Sequence, residues 1–240
     1  MAVVADIDLE SGDLSEFSGT VTDGGDLSVT QAAALAGSEY GLQCVIDDTT
    51  AVYGYVLLGS PNTSGVVRYR FYVDPNSITM QDGDQSEHSL VMITDISSNP
   101  ISFLMLERTE GGEYAFYAVA VDDNGVHHNT QVYPTTDEPH CVEVLCTRAS
   151  SNVAADGGTT FWVDGVEAYS TILGVDNYDQ FADWQIIIMG AVSGLDPTTS
   201  GTMYLDELIV NDDGSEIGPV EEPEPEPAPA SRRAGLLIPR

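Results

Sequence analysis

The stretch Gly158–Ser170, GTTFWVDGVEAYS, constrains this chain more than any other. Two runs of strand formers, Thr159–Val163 and Val166–Tyr169, flank Asp164-Gly165. A two-residue Asp-Gly connection suits a type I′ turn, which needs positive φ at both central positions, so the sequence predicts a β-hairpin. The rest of the chain follows the same pattern. In Val66–Val73, Arg68, Arg70 and Tyr72 fall on one face and Tyr69, Phe71 and Val73 on the other. Further strands are predicted over Val4–Glu10, Tyr40–Asp47, Val52–Leu58, Ser89–Thr94, Ile101–Glu107, Tyr114–Val121, Cys141–Arg148 and Met203–Asn211. Turn pairs such as Asn99-Pro100, Gly111-Gly112 and Asn124-Gly125 punctuate them. Trp184–Met189 is a near-continuous apolar run, the pattern of a strand covered on both faces. Gln31–Gly37 is the only helix-like piece. About a dozen strands without an amphipathic helix predict an all-β sandwich of two antiparallel sheets.

Four short motifs add a family likeness. They are LESGDLSEF at Leu9–Phe17, HCVEV at His140–Val144, FWVDGV at Phe161–Val166 and GTMYLDELIVN at Gly201–Asn211. In this order they resemble the concanavalin A-like lectin/glucanase jelly roll in its LamG-like branch, over roughly residues 4–218. The resemblance implies an antiparallel two-sheet jelly roll with Val4–Glu10 lying beside Met203–Val210. It also implies a structural Ca²⁺ held between an opening F-E-S/D-G and a closing D-D/E-V. Here those segments read Leu9-Glu10-Ser11-Gly12 and Leu205-Asp206-Glu207-Leu208, which makes Glu10 and Asp206 the metal candidates. The turn at Ser11–Asp13 and residues near Asp23–Asp26 could complete the six to eight oxygens that Ca²⁺ takes. Solvated acids on edge strands are the competing reading.

Glucanases of the superfamily carry Glu-x-Asp-x-x-Glu on one strand, and paired carboxylates are what glycoside hydrolysis requires. The nearest match is Asp6-Ile7-Asp8-Leu9-Glu10, which departs from that pattern and sits on the first strand. Glu107 and Glu143 have no acidic partner two or four residues away. A non-enzyme is therefore expected. Sugar binding would use exposed aromatic rings. The candidates are Tyr72 with Arg68 and Arg70, then Tyr114, Tyr117 and Trp184, whereas Trp162 is assigned to the core.

The formal net charge is -32, and all seven basic residues are Arg, so the chain has no Lys. Such acidity repels nucleic acid and anionic membranes. It suits a solubility coat, and it also attracts divalent cations and cationic partners. Cys44, Cys141 and Cys146 are three, which excludes a complete disulfide framework. Cys141 and Cys146 should point to opposite faces of one strand, as buried free thiols. His127-His128 reads as part of a solvated turn. Met1–Asp6 is too short and too soon acidic to open a signal peptide, and no apolar run reaches the roughly 18 residues of a membrane span.

Composition changes after Gly218. Residues 219–229, PVEEPEPEPAP, read as a stiff polyproline spacer after a domain spanning 1–218. Residues 230–240, ASRRAGLLIPR, read as a docking peptide through Arg232, Arg233, Leu236, Leu237, Ile238 and Arg240. Together these features predict a non-catalytic structural or decoration protein displayed on a virion or an extracellular assembly. Its partners would be other subunits of a capsid or filament, and surface glycans. A carbohydrate-binding module or a glycoside hydrolase is the alternative.

Overall fold

A computed structural model describes residues 2–83, 86–168 and 172–220. The candidate docking residues Arg232 to Arg240, and the spacer beyond Val220, lie outside the described residues. Seventeen strands are described. The first eight are β1 (Val3–Ile7), β2 (Gly19–Val21), β3 (Leu27–Thr30), β4 (Gly41–Ile46), β5 (Val52–Asn62), β6 (Val66–Asp74), β7 (Glu87–Thr94) and β8 (Pro100–Arg108). Then follow β9 (Tyr114–Val121), β10 (His127–Asn129), β11 (Tyr133–Thr135), β12 (His140–Thr147), β13 (Gly157–Val163), β14 (Val166–Glu167), β15 (Ile172–Val175), β16 (Trp184–Ser193) and β17 (Gly201–Asn211).

They form two antiparallel sheets. The first runs β14-β13-β12-β6-β17-β4-β3, with β1 also paired to β17 and β15 to β13. The second runs β10-β9-β8-β7-β16-β5-β2, with β11 also on β9. The opening and closing strands pair as expected, Ile7 facing Leu208. The Asp-Gly hairpin is present too: Asp164 has φ 52 and Gly165 φ 75, and Val163 pairs with Val166. The alternation in Val66–Val73 also holds. Tyr69, Phe71 and Val73 enter the core between the sheets, opposite Leu90, Leu104 and Phe116. All three cysteines are buried and free, Cys146 in that core and Cys141 on the other face.

Several expectations are corrected. The helix-like stretch shrinks to a single 3-10 turn, Gln31–Ala33. β1 stops at Ile7, because Leu9 turns the chain at φ 60, so Asp6, Asp8 and Glu10 do not share a strand face. Trp162 is not core; it lies on the outer face of the first sheet with the Arg68 guanidinium 4.5 Å above its ring. Ile186 and Ile188 of β16 are only half-buried, because nothing among the described residues covers that side of the second sheet as the core covers the other.

The first sheet has its outer face closed by its own chain. The segment that follows β17 crosses it as a strap. Buried Arg68 pairs with buried Glu143, and Arg68 Nη1 donates to the Gly214 carbonyl at 3.2 Å. The Glu143 carboxylate also accepts from the backbone N–H groups of Ile217 (2.9 Å) and Gly218 (2.8 Å). The Val220 N–H donates to the Tyr72 hydroxyl at 2.6 Å, and Asn211 bridges Gly214 and Ser215. The loop carrying Leu35 and Ala36 covers the neighbouring ground over Tyr72 and Cys141.

Removing one partner of a buried ion pair leaves the other charge stranded, a loss of about 3–5 kcal/mol. Glu143→Ala also strips the strap of two acceptors. The expected outcome is a fall of that size in unfolding free energy, read from urea titration. An unchanged midpoint would show that this pair does not hold the strap.

Candidate ligand-binding groove

On the second sheet, alternation sorts residues cleanly. Leu104, Leu106, Phe116 and Ala118 face the core. Their neighbours Phe103, Met105 and Glu107 of β8, and Tyr117, Val119 and Val121 of β9, face outward. Phe103 pairs with Val119 and Met105 with Tyr117 across the two strands. Phe103, Tyr117, Val119 and Val121, with Met92 and Met105 against them, form an apolar cluster separate from the core. These four are only 2–8% exposed, so they floor a groove rather than stand on a flat surface. The short β10 raises one wall, placing His127 opposite Val121 and Asn129 opposite Val119. The His127 ring tilts over Phe103 at 5.3 Å.

One end of the groove is polar. Glu87 of β7 stands directly opposite Glu107 of β8. The Tyr117 hydroxyl donates to Glu87 Oε2 at 2.6 Å and fixes that carboxylate. Burial raises the Tyr117 phenol above its ordinary pKa, and the hydrogen bond to Glu87 adds to the shift, so the phenol stays a donor. Two adjoining hollows of about 200 and 290 Å³ share Glu87, Tyr117 and Asn129. The first has the apolar floor of Phe103, Met105 and Val119; the second contains Glu107 and Thr130. The described lining includes no Arg.

No protein-family model matches the chain, and no curated protein matches it. Solved structures do. An alginate lyase, Aly36B, in a variant with one lysine and one tyrosine replaced by alanine and bound to alginate tetrasaccharide, superposes with a TM-score of 0.58 at 14% identity. The match covers 89% of this chain and 98% of that one. The catalytic domain of a glycoside hydrolase family 131 protein from Coprinopsis cinerea gives 0.53 at 13% identity, over 91% and 98%. Domain 4 of AbnA, an extracellular arabinanase of family GH43 from Geobacillus stearothermophilus, in complex with arabinotriose, gives 0.51 at 15%, over 87% and 91%.

The fold is a concanavalin A-like jelly roll.

On this concanavalin A-like frame, the aromatic candidates separate. Tyr117 lines the groove. Tyr114 points into the core, its hydroxyl donating to the Ile78 carbonyl, and Trp184 is fully buried. Tyr72, Arg68 and Arg70 lie on the first sheet under the strap and its neighbouring loop; Arg70 Nη1 donates to the Glu207 carbonyl at 3.0 Å. Among the described residues, Asp6, Asp8 and Glu10 do not line the groove.

Glu10 and Asp206 meet the same loop. Glu10 Oε1 accepts from the N–H groups of Glu39 (2.9 Å) and Tyr40 (3.2 Å). Asp206 Oδ2 accepts from the Leu35 N–H (2.8 Å) and the Ser38 hydroxyl, and Oδ1 from the Glu207 N–H (2.8 Å). Burial pushes the Asp206 carboxyl up to about 7, against the lowering effect of these three donors. Among the described residues one group of three carboxylates converges, Asp23, Asp26 and Asp47, and it includes neither Glu10 nor Asp206.

Sequence reasoning missed most of the groove. Glu87 lies just before the strand predicted at Ser89–Thr94, and its partner Glu107 is found only through strand register. His127 and His128 form a strand rather than a free turn, and His128 Nε2 lies 3.1 Å from Asp122 Oδ2. The available signal was the outward set on two neighbouring strands: Phe103, Met105 and Glu107 beside Tyr117, Val119 and Val121.

Proposed function

We propose that this protein is a non-catalytic glycan-binding domain whose site is the groove on the second sheet. The observation that carries the reading is a difference between the two outer faces: the strap and the loop of residues 35–36 cover part of the first sheet's face, leaving one hollow of about 280 Å³ at Tyr72 and Cys141, while the second holds two adjoining hollows with an apolar floor and polar groups at one end. Phe103 and Val119 would take the C–H face of a sugar ring; Glu87, Asn129 and Glu107 would accept or donate hydrogen bonds to hydroxyls. The neighbours that act on or bind alginate and arabinan support a glycan over other ligands. Alginate itself fits poorly here. The chain has no Lys, and a uronate would meet Glu87 and Glu107.

Isothermal titration with neutral oligosaccharides tests the site. Phe103→Ala should weaken binding roughly tenfold, the equivalent of about 1.4 kcal/mol. Phe103 lies outside the main core, so the variant should stay folded. Equal affinity of variant and wild type would exclude the groove. Because Glu87 faces Glu107, hydrolysis is the competing reading; release of reducing ends that disappears in Glu107→Gln would replace binding with catalysis.

Two further features belong to this reading. Glu10 and Asp206 would hold a structural Ca²⁺ beside residues 35–40. Both carboxylates converge on that loop, and Asp206 is a buried carboxyl that a cation would stabilise in its charged form. An ion bound only by the native state stabilises it by mass action, so chelator should lower Tm in the wild type. Equal Tm for wild type and Glu10→Ala, with and without chelator, would remove the metal.

The tail at residues 230–240 would dock the domain to a virion or extracellular assembly, and Val220 leaves the domain from the face opposite the groove. Deleting residues 230–240 should abolish assembly while the domain stays folded. Unchanged assembly, measured by light scattering with the partner present, would remove the docking role.

A further inference from the structure

We propose that this protein has a second ligand site, separate from the groove, in the hollow at the end of the sandwich that carries the β8–β9 turn, and that this site takes an uncharged sugar. The hollow measures about 680 Å³, larger than either part of the groove, and shares no lining residue with them. Small-ligand sites run to roughly 300–1,000 Å³. The connection from β6 to β7 forms one side, the facing ends of β8 and β9 another, and residues 135–137 at the end of β11 a third. Ile78, Met80 and Tyr114 line it and belong to the core, so its floor is apolar and is built by the fold itself.

The polar groups around this floor are set before anything binds. The Arg108 guanidinium lies 5.2 Å over the Tyr114 ring, and Asp82 Oδ1 accepts from its Nε at 2.9 Å. The two contacts fix its plane and leave the terminal nitrogens to donate as a fork. Residues 135–137 and Ser77 supply acceptors. The Thr136 hydroxyl lies 3.0 Å from His140 Nε2, and His140 Nδ1 lies 2.7 Å from Asp164 Oδ2. An ionised carboxylate only accepts, so the neutral imidazole carries its proton on Nδ1 and takes the Thr136 O–H at Nε2. The Cys141 N–H holds Asp164 in turn, donating to Oδ1 at 2.9 Å. Thr136 Oγ1, its proton committed, keeps its remaining lone-pair capacity for a ligand. Ser77 is set the same way, its hydroxyl donating to Asp137 Oδ2 and its N–H to Oδ1.

A fixed donor fork and fixed acceptors above one apolar floor suit a ligand whose groups both donate and accept, and a hydroxyl does both. Neighbouring hydroxyls of one sugar ring would accept from the two terminal nitrogens of Arg108 and donate to Thr136 and Ser77. The C–H face of the ring would lie on Ile78 and Met80. Charge narrows the class further. A uronate would meet Asp82, Glu113 and Asp137 around a single arginine, and an amino sugar would meet the guanidinium itself.

The test is isothermal titration with cellobiose, lactose, maltose, xylobiose and mannobiose, and with digalacturonate as the charged comparison. It is run on the wild type and on Phe103→Ala, which weakens the groove alone. At least one neutral disaccharide should still bind Phe103→Ala, and digalacturonate should not. Adding Arg108→Met should weaken that binding about 10- to 100-fold, the range expected of hydrogen bonds to a charged group. Adding Thr136→Val should weaken it about 3- to 10-fold, as for one neutral hydrogen bond. Thr136 is exposed, and the pair of Arg108 with Asp82 is open to solvent, where such pairs contribute little to stability. Both variants should therefore stay folded, which circular dichroism checks.

If a disaccharide binds and neither Arg108→Met nor Thr136→Val weakens it in either background, the second site falls and the groove stands. If Phe103→Ala costs nothing while Arg108→Met does, the groove fails and the second site stands. Digalacturonate binding more tightly than the neutral sugars would overturn the charge assignment. No binding of any of the six to the wild type would remove both sites. Hydroxyl, imidazole and carboxylate in this order also activate nucleophiles. Hydrolysis of p-nitrophenyl acetate that is present in the wild type and lost in Thr136→Val would therefore overturn the assignment of Thr136 as a sugar acceptor.

Discussion

The buried contact between Arg68 and Glu143 decides which side of this sandwich can meet a ligand. A two-sheet sandwich begins with two outer faces of similar standing. Here the outer face of the first sheet carries charge and aromatic rings that would be costly to bury without partners. A buried ion pair stabilises only when its remaining hydrogen-bonding capacity is used. It is used: Glu143 receives two backbone N–H groups from the strap, and Arg68 reaches the Gly214 carbonyl while resting on Trp162. Those same bonds hold the strap down. The residues most suggestive of a polar binding face in the sequence are thereby consumed in closing it.

The other described arginines also have partners. Arg70 reaches the Glu207 carbonyl, Arg108 pairs with Asp82, and Arg148 donates to the Tyr178 carbonyl while lying 3.7 Å above its ring. With no Lys in the chain, a net charge of -32 is balanced by very little. This matters more for the groove than for the fold. A site with two facing carboxylates and no arginine in its described lining discriminates by charge before any shape is read, and exposed charges elsewhere are screened within about 8–10 Å.

Local signals were readable where local chemistry decides the outcome. Asp164-Gly165 dictated its turn because few residue pairs tolerate two positive φ values, and Val66–Val73 declared its faces by alternation. The groove was not readable, because its residues meet through register. Glu87 and Glu107 are far apart along the chain, and β7 slips its pairing with β8 between Ser89 and Val91, which defeats counting by twos. Glu10 was misplaced for a related reason: a positive φ at Leu9 ends the first strand before it, a turn that a leucine does not advertise. The expected neighbours Glu10 and Asp206 do converge on one loop, though through its backbone N–H groups, which no spacing rule reports.

Trp184–Met189 shows what an apolar run means when only one side is packed. Its inward set, Ile187 and Met189, joins the core, while Ile186 and Ile188 stay half-buried on the same outer face as the groove. Met92 faces Ile188 across the strands, and Tyr55 does so from the other side. The apolar floor therefore continues from β9 through β8, β7 and β16 to β5, at right angles to the strands. Neighbouring strands lie about 4.8 Å apart, so five of them span close to 20 Å. A floor of that length suits a chain-like ligand lying across the sheet rather than a single ring. Glu87 and Glu107, on β7 and β8, lie four to five residues along those strands from Met92 and Phe103, so they flank the floor at its side rather than close one of its ends.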